Sequence, residues 1–356
     1  MSASPRHRAV DEAAALEALH EMACTDGLPV VIPTQARVDR MVLATCLDGD
    51  LVLGEMGPAL GACSVEKLAI AAVMAGCTPD HMPVVLAAAR AVMDPAFDLT
   101  EMQATTHGTA PLVLVNGPAR AWCGGIASGY GALGPGYRAN ASIGRALRLA
   151  MINIGGGRPG SSDMALLGHG GKFSYCLAEA EEESPFPGFH TTRGFGPEES
   201  AVTVMGAEAP HSVIGVLDSD DGDSTDRFLN SLAGVFANAA TNNAALGGGA
   251  GMVLLNPGHA RALAAAGHTR KSIAETICDR ALNSRLDLER TGAAGIAPKK
   301  DPLRCFASAD DVLIAVAGGG GLYSSVMPTW CAGPHRNRAV SVAIDLDQAC
   351  EVPASP

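Results

Sequence analysis

Apolar residues along the chain form two kinds of segment. Short runs rich in Val, Leu and Ile, such as 111–115 and 312–317, are followed by turn residues and are typical of buried strands. Longer aliphatic stretches, such as 64–74 and 82–92, begin at or follow a Ser or Thr and predict helices with an N-terminal cap. Strands that alternate with helices of about 10 to 15 residues predict an α/β fold around a mixed, partly parallel sheet.

The same pattern predicts further elements. Additional strands are expected at 28–32, 50–53, 201–205, 212–217, 251–255 and 340–344. Because Pro29 cannot donate a backbone hydrogen bond, the first of them is expected to be short or at a sheet edge. Two more helices are expected at 142–154 and 228–239.

A repeated pattern links the two halves of the chain. The segment 111–118, Pro-Leu-Val-Leu-Val-Asn-Gly-Pro, is matched by 251–258, Gly-Met-Val-Leu-Leu-Asn-Pro-Gly. A helix follows each copy, opened by Ser142 in the first and by Ser272, with Glu275 completing a capping box, in the second. We therefore expect duplicated units of helix, strand, loop and helix.

These patterns divide the chain into three parts: an N-terminal helical segment at 1–27, a first α/β half at 28–200 and a second α/β half at 201–356. A chain of 356 residues is long enough for about two domains, or for one large duplicated domain. Within the first half, the region 155–197 is rich in Gly, Pro, His and Glu and has weak periodicity. A long irregular stretch inside a domain is usually either functional or a disordered linker, and the Phe, Tyr, Cys and His residues of this region disfavour a linker.

Composition narrows the choice of partners. With 25 Lys and Arg against 37 Asp and Glu, the net charge is −12, and no basic cluster is present that would bind nucleic acid or an anionic membrane. No apolar run reaches the roughly 18 residues of a membrane-spanning helix, and the beginning of the chain is polar. The sequence thus predicts a soluble cytoplasmic protein without a nucleic-acid or membrane partner.

Motifs for common cofactors are incomplete. The segment 155–160, Gly-Gly-Gly-Arg-Pro-Gly, matches a dinucleotide-binding loop in form but follows a predicted helix instead of a strand. The segment 168–174 resembles a P-loop but has Leu166 where the first glycine belongs and Phe173 where a magnesium-binding hydroxyl belongs. We therefore expect neither NAD nor ATP as a cofactor.

The ten cysteines show no C-x-x-C spacing, so most are expected to be reduced thiols outside any structural zinc site.

The region 155–197 holds the densest set of groups that could do chemistry. Two histidines, a lysine, a cysteine and several carboxylates lie between Asp163 and His190 and could transfer protons or bind a divalent metal. The candidate metal ligands are His169, Glu179, Glu182 and His190. For the neighbouring Glu181 and Glu183, the expected role is that of a solvated acidic surface.

Candidate catalytic residues come from three places. Cys77 precedes a predicted helix N-terminus, where a thiolate would be stabilised, and Cys176 lies among the carboxylates of the glycine-rich region. His169 lies in a loop, where site residues are common. Glu66 and Lys67 stand in the first turn of another predicted helix, where a lysine opposes the helix dipole and would be held for a ligand. For both cysteines the alternative is buried packing.

Candidate substrate-binding residues surround the central predicted strand. His107 precedes this strand and Asn116 ends it. Arg138 and Asn140 stand before the next helix, where a guanidinium can hold an anion through two hydrogen bonds, and Lys172 would add a second cation. Together these residues predict a small anionic substrate.

Three stretches of the chain resemble a bacterial family. They are 65–77, 134–148 and 168–176 with the acidic residues that follow. The family comprises uncharacterised proteins associated with, or fused to, a small thiol or selenol domain of the UGSC type. The chain has no C-G-S-C motif, so the resemblance implies that the redox half is absent or is supplied by a separate thiol or selenol protein. The resemblance singles out Glu66, Lys67, Cys77, Arg138, Asn140, His169, Lys172 and Cys176.

Two functions follow from these patterns. We expect an enzyme, a lyase or hydrolase that uses Cys, His and carboxylate groups on a small anionic metabolite, with the need for a divalent metal left open. The alternative is a non-catalytic or redox partner subunit that docks a separate thiol or selenol protein. A homo-oligomer is compatible with both.

Overall fold

The computed structural model describes residues 4–331 and 337–346 of the chain. The helices in these ranges are α1 Glu12–Glu21, α2 Gln35–Leu43, α3 Val65–Ala75, α4 Met82–Met93, α5 Leu99–Ala104, α6 Ala119–Trp122, α7 Arg138–Asn153, α8 Ser224–Phe236, α9 Asn242–Leu246, α10 Pro257–Ala265, α11 Arg270–Arg280 and α12 Arg285–Arg290. The strands are β1 Val52–Met56, β2 Gly61–Ser64, β3 Ala110–Asn116, β4 Cys176–Ala178, β5 Ala201–Ala207, β6 His211–Ile214, β7 Gly251–Leu255, β8 Leu282–Asn283, β9 Leu303–Arg304, β10 Val312–Val316, β11 Tyr323–Met327 and β12 Val340–Ala343. None of the described helices is both long and apolar enough to cross a bilayer.

Eight of the described strands form two four-stranded mixed sheets. In the first sheet the order is β4-β3-β5-β12, with β3 and β4 parallel and the other neighbours antiparallel. In the second the order is β10-β7-β11-β6, again with one parallel pair, β10 and β7, followed by antiparallel neighbours. The other described strands form two antiparallel pairs, β1 with β2 and β8 with β9. The α/β class with partly parallel pairing is therefore confirmed, with two main sheets instead of one. β3 and β7, the strands of the repeated sequence pattern, hold the same place in their sheets, and the duplicated units stay a prediction.

The two sheets pack face to face between two layers of helices. Because side chains of a strand point alternately to opposite faces, Leu112 of β3 lies in one shared core with Met252 of β7 and Leu313 of β10. The opposite face of the first sheet, with Val113, packs against α3, α4 and α7. The opposite face of the second sheet, with Val253, packs against α8 and α11. Strands that are buried on both faces explain the continuous apolar runs in the sequence.

Some boundaries differ from the sequence prediction. α7 begins at Arg138, one turn before the predicted cap, and the Ser142 hydroxyl donates to the Arg138 carbonyl within the helix at 2.6 Å. α11 is capped by Thr269, which forms a capping box with Ser272, so the predicted cap serves as the third residue of the helix. The described segment 28–32, interrupted by a proline, forms no strand.

The first sheet takes strands from both predicted halves of the chain. β5 and β12 lie within 201–356, yet β5 pairs with β3 and β12 pairs with β5. The chain crosses from the first sheet to the second between β5 and β6, and a bridge between Ala207 and Thr329 joins the sheets at the same place. The predicted domain limits therefore do not follow the sheets. α1 lies within the predicted helical segment 1–27.

Candidate functional site

The chemistry-rich region 163–190 is divided between the two ends of β3. At the start of the strand, Lys172 Nζ donates to the Thr109 carbonyl at 3.3 Å. At its end, a Glu179 carboxylate oxygen accepts from Asn116 Nδ2 at 2.6 Å. The full length of β3 lies between these points, about 20 Å at the usual rise per residue. Groups that are close in sequence therefore belong to two separate clusters.

This division separates the four predicted metal ligands. His169 lies at the start of β3, with its Nε2 3.2 Å from the carbonyl oxygen of Ala207. Glu179, Glu182 and His190 lie beyond the other end of the strand, in the segments that follow β4. Among the residues that the structure describes, no group of three or more His, Cys, Asp and Glu side chains is placed to hold a metal ion. The predicted metal site is not assembled.

A network of buried polar groups lies at the C-terminal end of β3 and connects the two sheets. Glu179 is fully buried, and its carboxylate accepts hydrogen bonds from the backbone amide of Val316 at 3.1 Å and from Arg270 Nη2 at 3.0 Å. Asn116 Nδ2 donates to Glu179 and also to Glu181 Oε1 at 2.8 Å. Asn116, predicted to bind substrate, is thus tied into the structure that connects the two sheets.

Both candidate nucleophilic cysteines are buried. Cys176 lies on β4 and faces the helical layer, in the same core as Cys77. Burial raises the pKa of Cys176 far above its ordinary value. Burial also raises the pKa of Cys77 to about 12, although a hydrogen bond with Ser142 and the charge of Arg138 act in the opposite direction. Both side chains are protonated thiols at neutral pH, and their positions fit packing better than nucleophilic attack.

Four other predicted residues make local contacts and do not meet in one site. They are Lys67 with the carbonyl of Ala62, Glu66 with the hydroxyl of Ser4, Arg138 with the carbonyl of Gly76, and Asn140 with both backbone groups of Ala127. Arg138 thereby closes the C-terminal end of α3, and Asn140 holds the loop before α7. These four side chains therefore make polar contacts with other parts of the same chain.

The remaining predicted residues, His107, His169 and Lys172, lie near the start of β3. His107 contacts Glu208, which lines a cavity, and His169 contacts Ala207, the residue before Glu208. The cavity has a volume of about 460 Å³, within the usual range for small-molecule sites. It lies between the turn that follows β5 and helix α8, and its polar lining includes Glu208, His211, Ser231, Asn238 and Thr241. A concave surface of this size with several convergent polar groups is a candidate binding site.

Glu208 connects the cavity to His107. Its Oε1 lies 3.0 Å from Nε2 of His107, and Nδ1 of the same ring lies 2.9 Å from Nδ2 of Asn242. Because a carboxylate only accepts hydrogen bonds, Nε2 of His107 carries a proton in this pair. The Asn242 amide donates to Nδ1 of a neutral ring and, when turned over, accepts from a protonated ring. Both ring nitrogens of His107 are therefore held by side chains.

The backbone of Glu208 is fixed from both sides. Its amide donates to the carbonyl of Pro328 at 2.9 Å, and its carbonyl accepts from the hydroxyl of Tyr175 at 2.9 Å. The preceding carbonyl, of Ala207, is held by the ring of His169. Two side chains from the segment before β4 thus bind two successive carbonyls and set the direction of the Glu208 side chain.

His169 acts as a positioning residue in this arrangement. Burial lowers its pKa, and the nearby charges of Lys172 and Arg148 contribute to the lowering, so the ring is neutral at neutral pH. Its Nδ1 accepts from the amide of Gly171 at 3.1 Å, while Nε2 donates to the backbone. Both ring nitrogens are occupied, which leaves no free nitrogen to act on a substrate.

Sequence reasoning misses Glu208 and Asn242. Glu208 is an isolated carboxylate directly after the buried strand β5, and that position at the carboxyl end of a strand is the signal that identifies it. Asn242 opens the short helix α9 and carries no comparable signal. His107 is among the predicted site candidates, and its partners Glu208 and Asn242 come from distant parts of the chain.

The resemblance to the UGSC-associated family rests on the stretches 65–77, 134–148 and 168–176, and none of them contains Glu208 or Asn242. The separate thiol or selenol protein that the resemblance implies stays a prediction. No family model matches the chain, and comparisons with the curated proteins and with the solved structures find no significant match.

Proposed function

We propose that the protein is an enzyme of the lyase or hydrolase type that moves a proton to or from a small metabolite held in the cavity beside α8. One observation carries the proposal. Glu208 lines this cavity of about 460 Å³, and its carboxylate is held by the ring of His107 at 3.0 Å. A carboxylate and an imidazole in hydrogen-bond contact at the wall of a cavity are a common acid–base arrangement.

Glu208 is the group that faces the substrate in this proposal. His107 holds Oε1, and Oε2 has no partner among the described residues, which leaves it for a bound molecule. The side chains of His107 and Glu208 are 23% and 26% exposed, so protons can exchange with water between turnovers. Asn242 keeps the ring oriented in both protonation states of His107.

The cavity restricts the substrate to a small, polar molecule. Its lining combines the charged or titratable groups of Glu208 and His211 with the hydroxyl of Ser231 and the amide of Asn238, which favours a substrate rich in hydroxyl or carboxyl oxygens. An anionic metabolite is our proposed substrate class, because the hydroxyl and amide donors of the lining can bind carboxylate oxygens.

The binding step is tested with a cavity-filling variant. A thermal-shift screen of small carboxylic acids, hydroxy acids and amides on the full chain finds ligands that raise the melting temperature. Gly234 of α8 lines the cavity, and a Cβ added there meets no atom within 4 Å. Gly234→Leu should therefore fold and fill the cavity. We expect it to abolish the shift, whereas Gly234→Ala should keep it.

The chemical step is tested on the ligand found in this way. Glu208→Gln should lower kcat by about 10² to 10⁴-fold, the usual contribution of a general acid or base. Glu198→Gln changes an exposed carboxylate outside the cavity and should have no effect. Full turnover by Glu208→Gln, with a ligand whose binding Gly234→Leu abolishes, would exclude Glu208 as the proton-transfer group and end the proposal.

A further inference from the structure

The second sheet has one edge that is covered and one that is open. At the edge strand β10, the Val316 amide donates to Glu179 Oε1 at 3.1 Å, and the Val316 carbonyl accepts from the amide of Ala180 at 2.8 Å. The Arg270 guanidinium donates to the carbonyl of Ile314 on the same strand. The strand at the other edge is β6, which pairs with β11 on one side.

The backbone groups on the open side of β6 belong to Ser212 and Ile214. The Gly215 amide donates to the Leu322 carbonyl at 2.8 Å, one position beyond the register that joins Ile214 to Tyr323. Because hydrogen-bonded residues alternate along an antiparallel pair, Ser212 and Ile214 turn their N–H and C=O groups away from β11. These four groups form no hydrogen bond within the part of the chain that the structure describes. A row of free groups of this kind can pair with another strand.

Exposed apolar side chains lie beside the open edge. Ile214 and Tyr323 are opposite each other on β6 and β11, so their side chains share one face of the sheet, and they are 58% and 60% exposed. Val216, two residues after Ile214, is 69% exposed, whereas Val213 is buried against α8. We call Ile214, Val216 and Tyr323 the β6 patch. Contiguous exposed apolar side chains are typical of an interaction surface.

The turn 218–223, which connects β6 to α8, is acidic. Its exposed carboxylates that form no ion pair with a described residue are those of Asp218, Asp220 and Asp223. The charge at the C-terminal end of β6 therefore favours a cationic partner. It disfavours a second copy of the chain, because antiparallel pairing of two β6 strands would bring Glu208 of one copy towards the acidic turn of the other.

We propose that the open edge of β6 binds an extended basic segment of another protein, which adds to the second sheet as an antiparallel strand. The backbone of this segment bonds to Ser212 and Ile214, and its alternate apolar side chains lie on the β6 patch. Lys or Arg residues at its N-terminal end face the acidic turn, because the N-terminal end of an antiparallel strand lies beside the C-terminal end of β6. The interaction does not depend on the reaction proposed for the cavity.

The edge is tested with a fluorescein-labelled peptide, Lys-Lys-Val-Thr-Val-Thr-Val-amide, whose anisotropy is measured as the full chain is added. Saturable binding that weakens with added sodium chloride is expected. Replacement of the two lysines of the peptide by glutamates should weaken binding by about tenfold or more.

Two N-methylated forms of the peptide separate strand pairing from other modes of binding. Residues opposite Ser212 and Ile214 point their side chains to the β6 patch and their N–H groups to β6, so these residues are the valines. N-methylation of the valines should weaken binding by about tenfold or more, whereas N-methylation of the threonines should leave it unchanged. No saturable binding of the parent peptide, or equal affinity of the two N-methylated forms, overturns the proposal.

Variants of the chain locate the peptide. Ser212→Pro removes an N–H group that the fold does not use, so it should fold and weaken peptide binding by about tenfold or more, whereas Ser212→Thr should bind as the original chain does. Ile214→Ser should weaken binding by about threefold or more. Leu286→Ser changes a residue of α12 that is 54% exposed and should have no effect. Unchanged affinity in both Ser212→Pro and Ile214→Ser would place the peptide elsewhere and overturn the assignment.

Two further measurements separate this proposal from its alternatives. Glu208→Gln should leave peptide binding unchanged, so the outcome for the β6 edge is independent of the outcome for the cavity. Sedimentation velocity of the chain alone should show a monomer at the concentrations of the peptide titration. A dimer that Ser212→Pro dissociates would identify a second copy as the occupant of the edge and overturn the proposal.

Discussion

Arg270 Nη2 donates to Glu179 Oε1 at 3.0 Å in an ion pair whose side chains are 9% and 0% exposed. Arg270 opens α11, which packs on the second sheet, while Glu179 follows β4 of the first sheet, so the pair connects the two halves of the sandwich. The guanidinium also donates to the carbonyl of Pro187 at 2.7 Å and lies 5.6 Å from the ring centroid of Phe186. Removal of one partner leaves a buried charge without compensation.

Arg270→Met should lower the free energy of unfolding by about 3 to 5 kcal/mol, because Glu179 would remain buried without its cation. Urea denaturation measures this change. Lys271→Ala is the matched control, since Lys271 is the next residue, its side chain is 85% exposed, and it lies 3.7 Å from Glu275. The control should change stability by at most about 0.5 kcal/mol. Equal stability of the Arg270→Met and Lys271→Ala variants would show that the buried pair makes no net contribution.

Local sequence patterns predict the elements of this fold well where one segment determines its own structure. The apolar run 111–115 lies within β3, and Ser64 caps α3 through its hydroxyl, as the position of the serine predicts. The two-sheet arrangement is not visible in these patterns. A strand with a helix layer on one face and a second sheet on the other is buried on both faces. Its sequence is therefore a continuous apolar run, like that of a strand between two helix layers.

The candidate site depends on long-range pairing that no local pattern encodes. The groups of 163–190 appear as one cluster in the sequence because β4 has only three residues and gives no strand signal. In the structure β4 runs parallel to β3 and carries the chain from one end of the sheet to the other. His107 and Glu208 meet because β3 and β5 pair antiparallel, which brings the residues before one strand to those after the other.

The buried thiols should be unreactive in the folded protein. With a pKa of about 12, Cys77 is ionised in about one molecule in ten thousand at pH 8, and Cys176 is ionised even less. Cys24 is partly exposed and serves as the internal reference. Treatment with iodoacetamide, followed by peptide mass spectrometry, should label Cys24 long before the two buried cysteines, and urea should remove the difference. Rapid labelling of Cys77 or Cys176 in the native state would restore them as candidate nucleophiles.

Stability should fall in mild acid because buried histidines resist protonation. His259 is an example, with Nδ1 2.8 Å from the Ser324 hydroxyl and Nε2 3.1 Å from the carbonyl oxygen of Gly215. Burial lowers its pKa below the ordinary value of 6.5, so its contribution is fully present above pH 6.5. Below that pH the unfolded chain takes up a proton that the folded protein does not, and stability decreases by up to about 1.4 kcal/mol per pH unit.

This dependence is measured by urea denaturation between pH 7.5 and 5, a range chosen around the ordinary pKa of 6.5. His259→Gln should reduce the slope of stability against pH by up to about 1.4 kcal/mol per pH unit. His7→Gln replaces an exposed histidine and should leave the slope unchanged. An unaltered slope in His259→Gln would mean that this ring is protonated equally in the folded and unfolded chains.

Two helical glycines should respond in opposite ways to the same substitution. Gly144 of α7 lies against the start of β4, where an added Cβ would come 2.6 Å from the backbone nitrogen of Tyr175, whereas a Cβ at Gly234 of α8 meets no atom within 4 Å. Gly144→Ala should therefore destabilise the fold by about 1 to 3 kcal/mol through overpacking. Gly234→Ala should stabilise it by about 0.5 to 1 kcal/mol through helix propensity alone.

The Gly144→Ala substitution also tests whether α7 fixes the position of Glu208 through Tyr175. Because the Tyr175 hydroxyl binds the carbonyl of Glu208 at 2.9 Å, a displacement of β4 by Gly144→Ala should move Glu208 relative to the cavity. We expect weaker binding of a cavity ligand by Gly144→Ala, measured by calorimetry at a temperature where the variant is fully folded, and unchanged binding by Gly234→Ala. Stabilisation by Gly144→Ala, or undiminished binding, would show that α7 does not position Glu208 through Tyr175.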